Sequence, residues 1–165
     1  MLASLDAVVG SEVVDLFAGT GAMGIEALSR GAVGATFVDH HRRARQTILA
    51  NLTAAGFGTS GTTDETGPSV RVVGADVLTW LGGTPAATQT GNNRACDLVL
   101  CDPPYRFSAW AELLSALRTG LSPPLAVLEA AQSIEPPDGW EVLRIKHYGG
   151  TVVMVIRLLA QRGDV

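Results

Sequence analysis

Basic excess, cysteine and long apolar runs are scarce in this 165-residue chain. Lysine and arginine total 12 against 16 aspartates and glutamates, for a formal net charge of −4. A broad electrostatic grip on nucleic acid leaves a basic footprint, so this balance argues against nonspecific binding along a polyanion, though not against a local basic face. The two cysteines, Cys96 and Cys101, flank one apolar run. That spacing gives neither a disulfide framework nor a metal-ligand set, and it points to reduced thiols, a cytoplasmic setting and no metal. No apolar stretch approaches the roughly 18 residues of a membrane span, and no signal-peptide pattern is visible at the start. Internal repeats and a second domain are lacking too.

What is there suits one domain. Hydrophobic residues make up 47 % and charged ones 17 %, enough apolar content for a sizeable core over residues 1–165. Apolar runs alternate with helical patterns along the chain. A short helical piece at Leu2–Val8 precedes a predicted strand at Glu12–Phe17. A helix over Ala22–Arg30 is closed by Gly31, the residue type favoured just past a helix end. Ala35–Asp39 reads as a strand, and His41–Ala55 as a helix with Ala44, Ile48, Leu52 and Ala55 on one face. Gly56–Ser69 and Gly82–Asn93 are polar and read as loops, separated by a strand at Val70–Gly74 and a helical turn at Val77–Leu81. Asp97–Cys101 and Leu125–Glu129 are further strands, with a helix at Ser108–Leu117 between them. Glu141–Lys146 and Thr151–Leu159 meet at Gly149-Gly150. The pattern predicts an open, mostly parallel α/β sheet covered on both faces, with an antiparallel pair at one edge.

Two stretches carry chemistry. VVDLFAGTGAMG places Gly19, Gly21 and Gly24 in G-x-G-x-x-G spacing between a strand and a helix, the setting in which backbone N–H groups approach a ligand. Asp39, about 20 residues on, is placed to accept hydrogen bonds from ribose hydroxyls. Asp15 stands just before the turn, where its charge would repel a pyrophosphate and attract a cationic or zwitterionic ligand. S-adenosylmethionine has a sulfonium, an amino group and a ribose without phosphate, so it fits better than NAD. Asp76 follows the third strand and reads equally as a helix cap or an adenine contact. The second stretch, LVLCDPPYRF, ends an apolar strand in a stiff polar hook. An exocyclic amine is a weak nucleophile until its lone pair is localised. Asp102 and the carbonyl of Pro103 can accept its two hydrogens, the prolines pre-align that carbonyl, and Tyr105 can stack on the base. Such a base must be unpaired or flipped out of its helix.

Asp-Pro-Pro-Tyr after an apolar strand, with the upstream D-x-F-x-G-x-G loop, resembles the amino-methyltransferases of adenine and guanine. DLFAGTGAMGIEALSRGA (Asp15–Ala32), LVLCDPPY and HYGGT (His147–Thr151) together resemble the RsmD family of bacterial 16S rRNA guanine-N2 methyltransferases. The likeness runs from about Leu5 to Leu159. It implies a Rossmann-like class I methyltransferase fold with a seven-stranded sheet, S-adenosylmethionine as donor, and N2 of one guanine in small-subunit rRNA as acceptor. It implies that Asp15, Phe17, Gly19, Gly21 and Gly24 line the methionine and ribose, that Asp39 holds the ribose, and that Asp76 and Val77 lie by the adenine. The expected partner is rRNA or the small ribosomal subunit, met by a monomer with no membrane association. The family's basic, glycine-rich N-terminal hairpin and threonine- and arginine-bearing helix have no counterpart in this chain. Two other readings follow: the same chemistry on DNA adenine or a protein amide, and a donor-binding but inactive partner module.

The remaining candidates divide between site and surface. His40 reads as the edge of an adenosine site or as a solvated helix residue, and His41 as a solvated helix residue. Arg42, Arg43 and Arg45 read as a solvated basic face or a phosphate contact. Pro104, Arg106, Lys146 and His147 are expected near the sheet's active edge, on the RNA side. Trp80, Trp110 and Trp140 read as packing. Glu129, at the end of a strand, is a candidate to face the pocket, with no motif to specify a role.

Overall fold

The apolar runs become the middle of a sheet. In a computed structural model that describes residues 7–58, 67–83 and 96–159, β1 (Glu12–Leu16), β2 (Gly34–Val38) and β4 (Leu98–Cys101) are buried along their whole length. Residues covered on both faces need no polar alternation, which is why these segments read as continuous hydrophobic runs. β3 (Ser69–Val73) is a partly exposed edge. β5 (Leu125–Ala130), β6 (Trp140–Tyr148) and β7 (Thr151–Leu158) complete seven strands in the order β3-β2-β1-β4-β5-β7-β6. β3 to β5 are parallel neighbours, while β7 runs antiparallel to both β5 and β6. The predicted edge pair is therefore present, and its returning strand β7 lies inside the sheet with β6 outermost.

Helices cover the two faces as separate cores. Ala27 and Leu28 of α1 (Ala22–Ser29) and Ile48 and Leu52 of α2 (Arg42–Ala54) pack with Val13, Phe37, Leu98 and Leu100. Trp80 and Leu81 of α3 (Val77–Gly83) and Leu113, Leu114 and Leu117 of α4 (Trp110–Gly120) pack with Val14, Leu16, Val99 and Cys101. Trp80 and Trp140 are buried there, as expected for packing residues, and Trp110 is partly buried against the same core.

Several expected boundaries move. The helical piece at Leu2–Val8 lies largely outside the described residues, and its last residue, Val8, sits in a bend. Most of the two polar loops also lies outside them, but Gly82 and Gly83 extend α3. Ala55 is the exposed C-cap of α2, not part of its buried face. The helix predicted from Ser108 begins at Trp110 and runs on to Gly120.

Gly24 shows how tightly α1 sits on the sheet. A Cβ there would lie 2.8 Å from Phe37 Cζ and 3.0 Å from Asp15 Oδ2, so helix and strand meet where no side chain fits. Gly24→Ala should cost about 1–3 kcal/mol of stability, the usual range for overpacking. Urea unfolding checks this, and an unchanged midpoint would mean that Phe37 can move aside.

Candidate active site

Strand register decides which side chains meet. Val73, Val38, Leu16, Cys101 and Leu128 form one row across β3, β2, β1, β4 and β5. One residue later, Asp39, Phe17 and Asp102 leave the sheet at its carboxyl edge, level with Glu129, which is still in β5 and paired with Val153 of β7. The strand order reverses between β1 and β4, and in open α/β sheets ligands bind at that switch point. Asp15 lies inside β1 rather than after it, opposite Phe37 and Leu100.

The chain leaves β1 through left-handed backbone at Phe17, Gly19 and Gly21, with φ of 57°, 55° and 77°. A bulky residue in that region is strained, and such strain persists only where the surroundings impose it. Two buried carboxylates do so. Asp39 Oδ2 accepts the Gly19 N–H at 3.0 Å while its Oδ1 accepts the His41 N–H at 2.7 Å. Asp15 Oδ2 accepts the Gly24 N–H at 2.9 Å. Above the loop is a cavity of about 500 Å³, lined by Asp15, Phe17, Gly19, Asp39, His40 and His41 on one side.

The hook Asp102-Pro103-Pro104-Tyr105 closes that cavity and also walls a second one of about 510 Å³. Its far side is lined by Phe107, Ser108, Trp110, Glu129, Gln132 and Ser133. The hook is stiffened from below. The Phe107 N–H donates to the Pro104 carbonyl at 2.7 Å, and the Phe107 ring meets Phe17 and Trp110 edge-on at 5.2 and 5.1 Å. Tyr105 is 73 % exposed, and its hydroxyl lies 3.2 Å from Thr151 Oγ1 in the β6–β7 turn region. Among the described residues, the Asp102 carboxylate and the Pro103 carbonyl have no hydrogen-bond partner.

A family sequence model described as "Conserved hypothetical protein 95" matches residues 1–157. The chain belongs to this family, the RsmD family. Ribosomal RNA small subunit methyltransferase D of Escherichia coli K12 is 28 % identical over 162 residues, covering 93 % of this chain and 72 % of that protein. The solved structure of yhhF from Escherichia coli, described as a candidate methyltransferase, superposes with a TM-score of 0.75 at 29 % identity, over 97 % of this chain and 81 % of that one. SMU.776, a methyltransferase-type protein solved with S-adenosylhomocysteine, matches at a TM-score of 0.70 and 19 % identity over 92 % of this chain and 46 % of its own, a likeness of fold.

In this RsmD-family chain the structure brings together some of the residues singled out by sequence and leaves others apart. Asp15, Phe17, Gly19, Asp39 and His40 line the first cavity, Asp102, Pro103, Pro104 and Tyr105 the shared wall. Gly21 caps α1 and Gly24 packs on Phe37, and neither lines these two cavities. Asp76 is a helix cap: its Oδ1 accepts the Thr79 N–H and hydroxyl, each at 3.0 Å, while Val77 is buried in the core. Arg106 is exposed and lines neither cavity. Arg45 does not present a free basic face; it donates to the carbonyls of Asp39 and His40. The residues missed by motif reading, Ser108, Gln132 and Ser133, follow β4 and β5 with no pattern to mark them.

Acids crowd the edge, and Arg45 there is held on backbone carbonyls rather than on a carboxylate. Among the described residues no ion pair neutralises Asp15, Asp39 or Asp102, and no three metal-binding side chains are grouped as a metal would require. Burial pushes the Asp15 carboxyl up to about 8, against the Gly24 N–H and helped by Asp102 and Asp39. Burial also raises Asp102, and burial followed by the Asp102 charge raises Glu129. Asp76 is lowered, chiefly by the Thr79 N–H. Both cysteine thiols are pushed up by burial, Cys96 to about 12, which keeps them protonated and inert.

Asp15 makes the free protein pH-sensitive. Unfolded, it releases its proton near 3.8; folded, near 8. The folded state thus binds more protons across that window, and stability is full below 3.8 and falls as pH rises to about 8. Asp15→Asn keeps an acceptor for the Gly24 N–H and has no proton to lose. It should flatten this decline, so that denaturant unfolding near pH 8 finds the variant more stable than wild type. A steeper decline in the variant would refute the assignment.

Proposed function

We propose that this chain transfers a methyl group from S-adenosylmethionine to the exocyclic N2 amine of a guanine in small-subunit rRNA. The observation that carries the reading is the hook, a rigid wall with unpartnered acceptors shared by two cavities of similar size. One cavity suits a donor and the other an acceptor base. The named relatives support rRNA methylation as the reaction class; guanine N2 as the acceptor rests on the RsmD-family resemblance.

The first cavity fits the donor. Its volume lies within the ordinary range for small-molecule sites, roughly 300–1,000 Å³. Gly19 opens onto it, since a Cβ there would meet nothing nearer than the Phe17 carbonyl at 3.8 Å. Asp39 would hold the ribose through lone pairs not used by Gly19 and His41, and the Asp102 carboxylate, with no ion pair among the described residues, favours a cationic group beside it. His40 and His41, with ring centroids 3.7 Å apart, edge the cavity. When bound, the donor supplies an electrophilic methyl to the amine and leaves as a neutral thioether, while the amine gives up one proton.

The protein's part is positioning. Asp102 and the Pro103 carbonyl would accept the two amine hydrogens and turn the nitrogen lone pair toward the first cavity. Tyr105, tethered by Thr151, presents a ring face to the base; such stacking is worth about 1–3 kcal/mol. Proximity and orientation then account for most of the rate. One domain carries both sites, and Lys146 and His147, on the strand beyond β7, flank the same end of the sheet.

Calorimetric titration with S-adenosylhomocysteine, with NAD in parallel, tests the donor; labelled-methyl transfer to small ribosomal subunits tests the acceptor. Asp102→Ala should keep S-adenosylhomocysteine affinity within about threefold and lower transfer by about 100-fold or more. Equal loss of both would assign Asp102 to the donor site or the fold. Donor binding with no transfer to any subunit would favour an inactive module, and label in adenine or a protein amide would move the acceptor.

A further inference from the structure

We propose that Glu129 selects the acceptor base, taking the N1–H of guanine while Asp102 takes the neighbouring N2 amine. This rests on the guanine reading above and adds a second side chain to it.

The fold sets the two carboxylates side by side. Cys101 and Leu128 are partners across the parallel β4–β5 ladder, so Asp102 and Glu129 are the next pair along, with strands about 4.8 Å apart. Glu129 shares the strand parity of Val127, and Asp102 is the first residue beyond β4. Both line the second cavity, and Asp102 also lines the first. Glu129 is half-buried, and among the described residues it has neither a hydrogen-bond donor nor an ion-pair partner. A structural carboxylate at that depth would be expected to hold a cap or a cation. This one stands beside another acid on an open cavity, and the Asp102 charge adds to the cost of ionising it. Such a pair is relieved by a ligand that offers two adjacent donors.

Among the candidate acceptors, guanine has that pattern. Its N1–H stands beside the N2 amine, so two adjacent carboxylates meet two adjacent donors. Adenine sets a lone pair at N1 beside its amine, cytosine sets one at N3, and a carboxamide sets its carbonyl oxygen there. Each would put a lone pair against Glu129, and repulsion of the wrong group is as effective as attraction of the right one. Asp102 alone accepts from any of these amines. Glu129 supplies the discrimination.

The test compares wild type, Glu129→Gln and Glu129→Asp in labelled-methyl transfer to small ribosomal subunits, with nucleoside digestion and S-adenosylhomocysteine affinity alongside. Guanosine monophosphate and 2-aminopurine riboside monophosphate serve as competitors; the second keeps the 2-amine but carries a lone pair at N1. In wild type, label should appear in N2-methylguanosine, and guanosine monophosphate should compete about 10-fold or more better than its analogue. Glu129→Gln should lose about 10- to 100-fold in kcat/KM and lose the preference between competitors. Its S-adenosylhomocysteine affinity should stay within twofold, which also reports that the variant folds. Glu129→Asp should fall between. A wild-type rate in Glu129→Gln, a preference that survives in it, or no preference in wild type overturns the role of Glu129 and leaves the guanine reading standing. If wild type binds S-adenosylhomocysteine but labels no guanine, the guanine reading itself fails, and this inference with it.

Discussion

The pairing of β1 with β4, Leu16 opposite Cys101, is the constraint on which the site depends. It brings together two segments more than 80 residues apart in sequence, the glycine loop and the Asp-Pro-Pro-Tyr hook, at the point where strand order reverses. A slip of one residue in that ladder would turn Asp102 to the opposite face, because side chains alternate with a period of two. The register is protected by burial. Every residue of β1 and β4 is buried, so a slip of one residue would draw Asp97 or Asp102 into the apolar interior and mismatch the packing on both faces.

The same pairing makes the loop and the hook one rigid body. Phe17 is level with Asp102, and its ring meets Phe107, which meets Trp110 at the start of α4. Strained backbone at Phe17 is tolerated because this aromatic contact and the bonds from Asp15 and Asp39 hold the loop in place. A wall built this way can align two bound groups without moving, which is what a reaction governed by orientation needs.

Electrostatically the edge is poised for a cation. Asp15, Asp39, Asp102 and Glu129 converge with no Lys or Arg to neutralise them among the described residues, and for Asp15, Asp102 and Glu129 burial works against ionisation. The folded chain carries this cost in the absence of ligand. Polar groups held unsatisfied in a cavity mark a place where stability has been given up for binding.

Motifs made much of this legible. The alternation of apolar runs and helical patterns, the glycine loop, Asp39 and the hook were readable because local chemistry needs those residue types at those spacings. Other roles were not local. Gly24 reads as a ligand contact from its spacing, and what leaves no room for a side chain there is Phe37, thirteen residues on in β2. Asp76 reads equally as a cap or a contact by its position after a strand, and the bond from the Thr79 N–H shows the cap. Glu129 sits at a strand end with no motif around it, and its significance comes from a neighbour in space, Asp102. The sequence by itself determined the fold class, the loop and the hook, since propensity, periodicity and turn chemistry act over a few residues. Which acids converge, which cavity each faces and which glycines serve packing were decided only by tertiary structure, because strand register couples residues that share no local pattern.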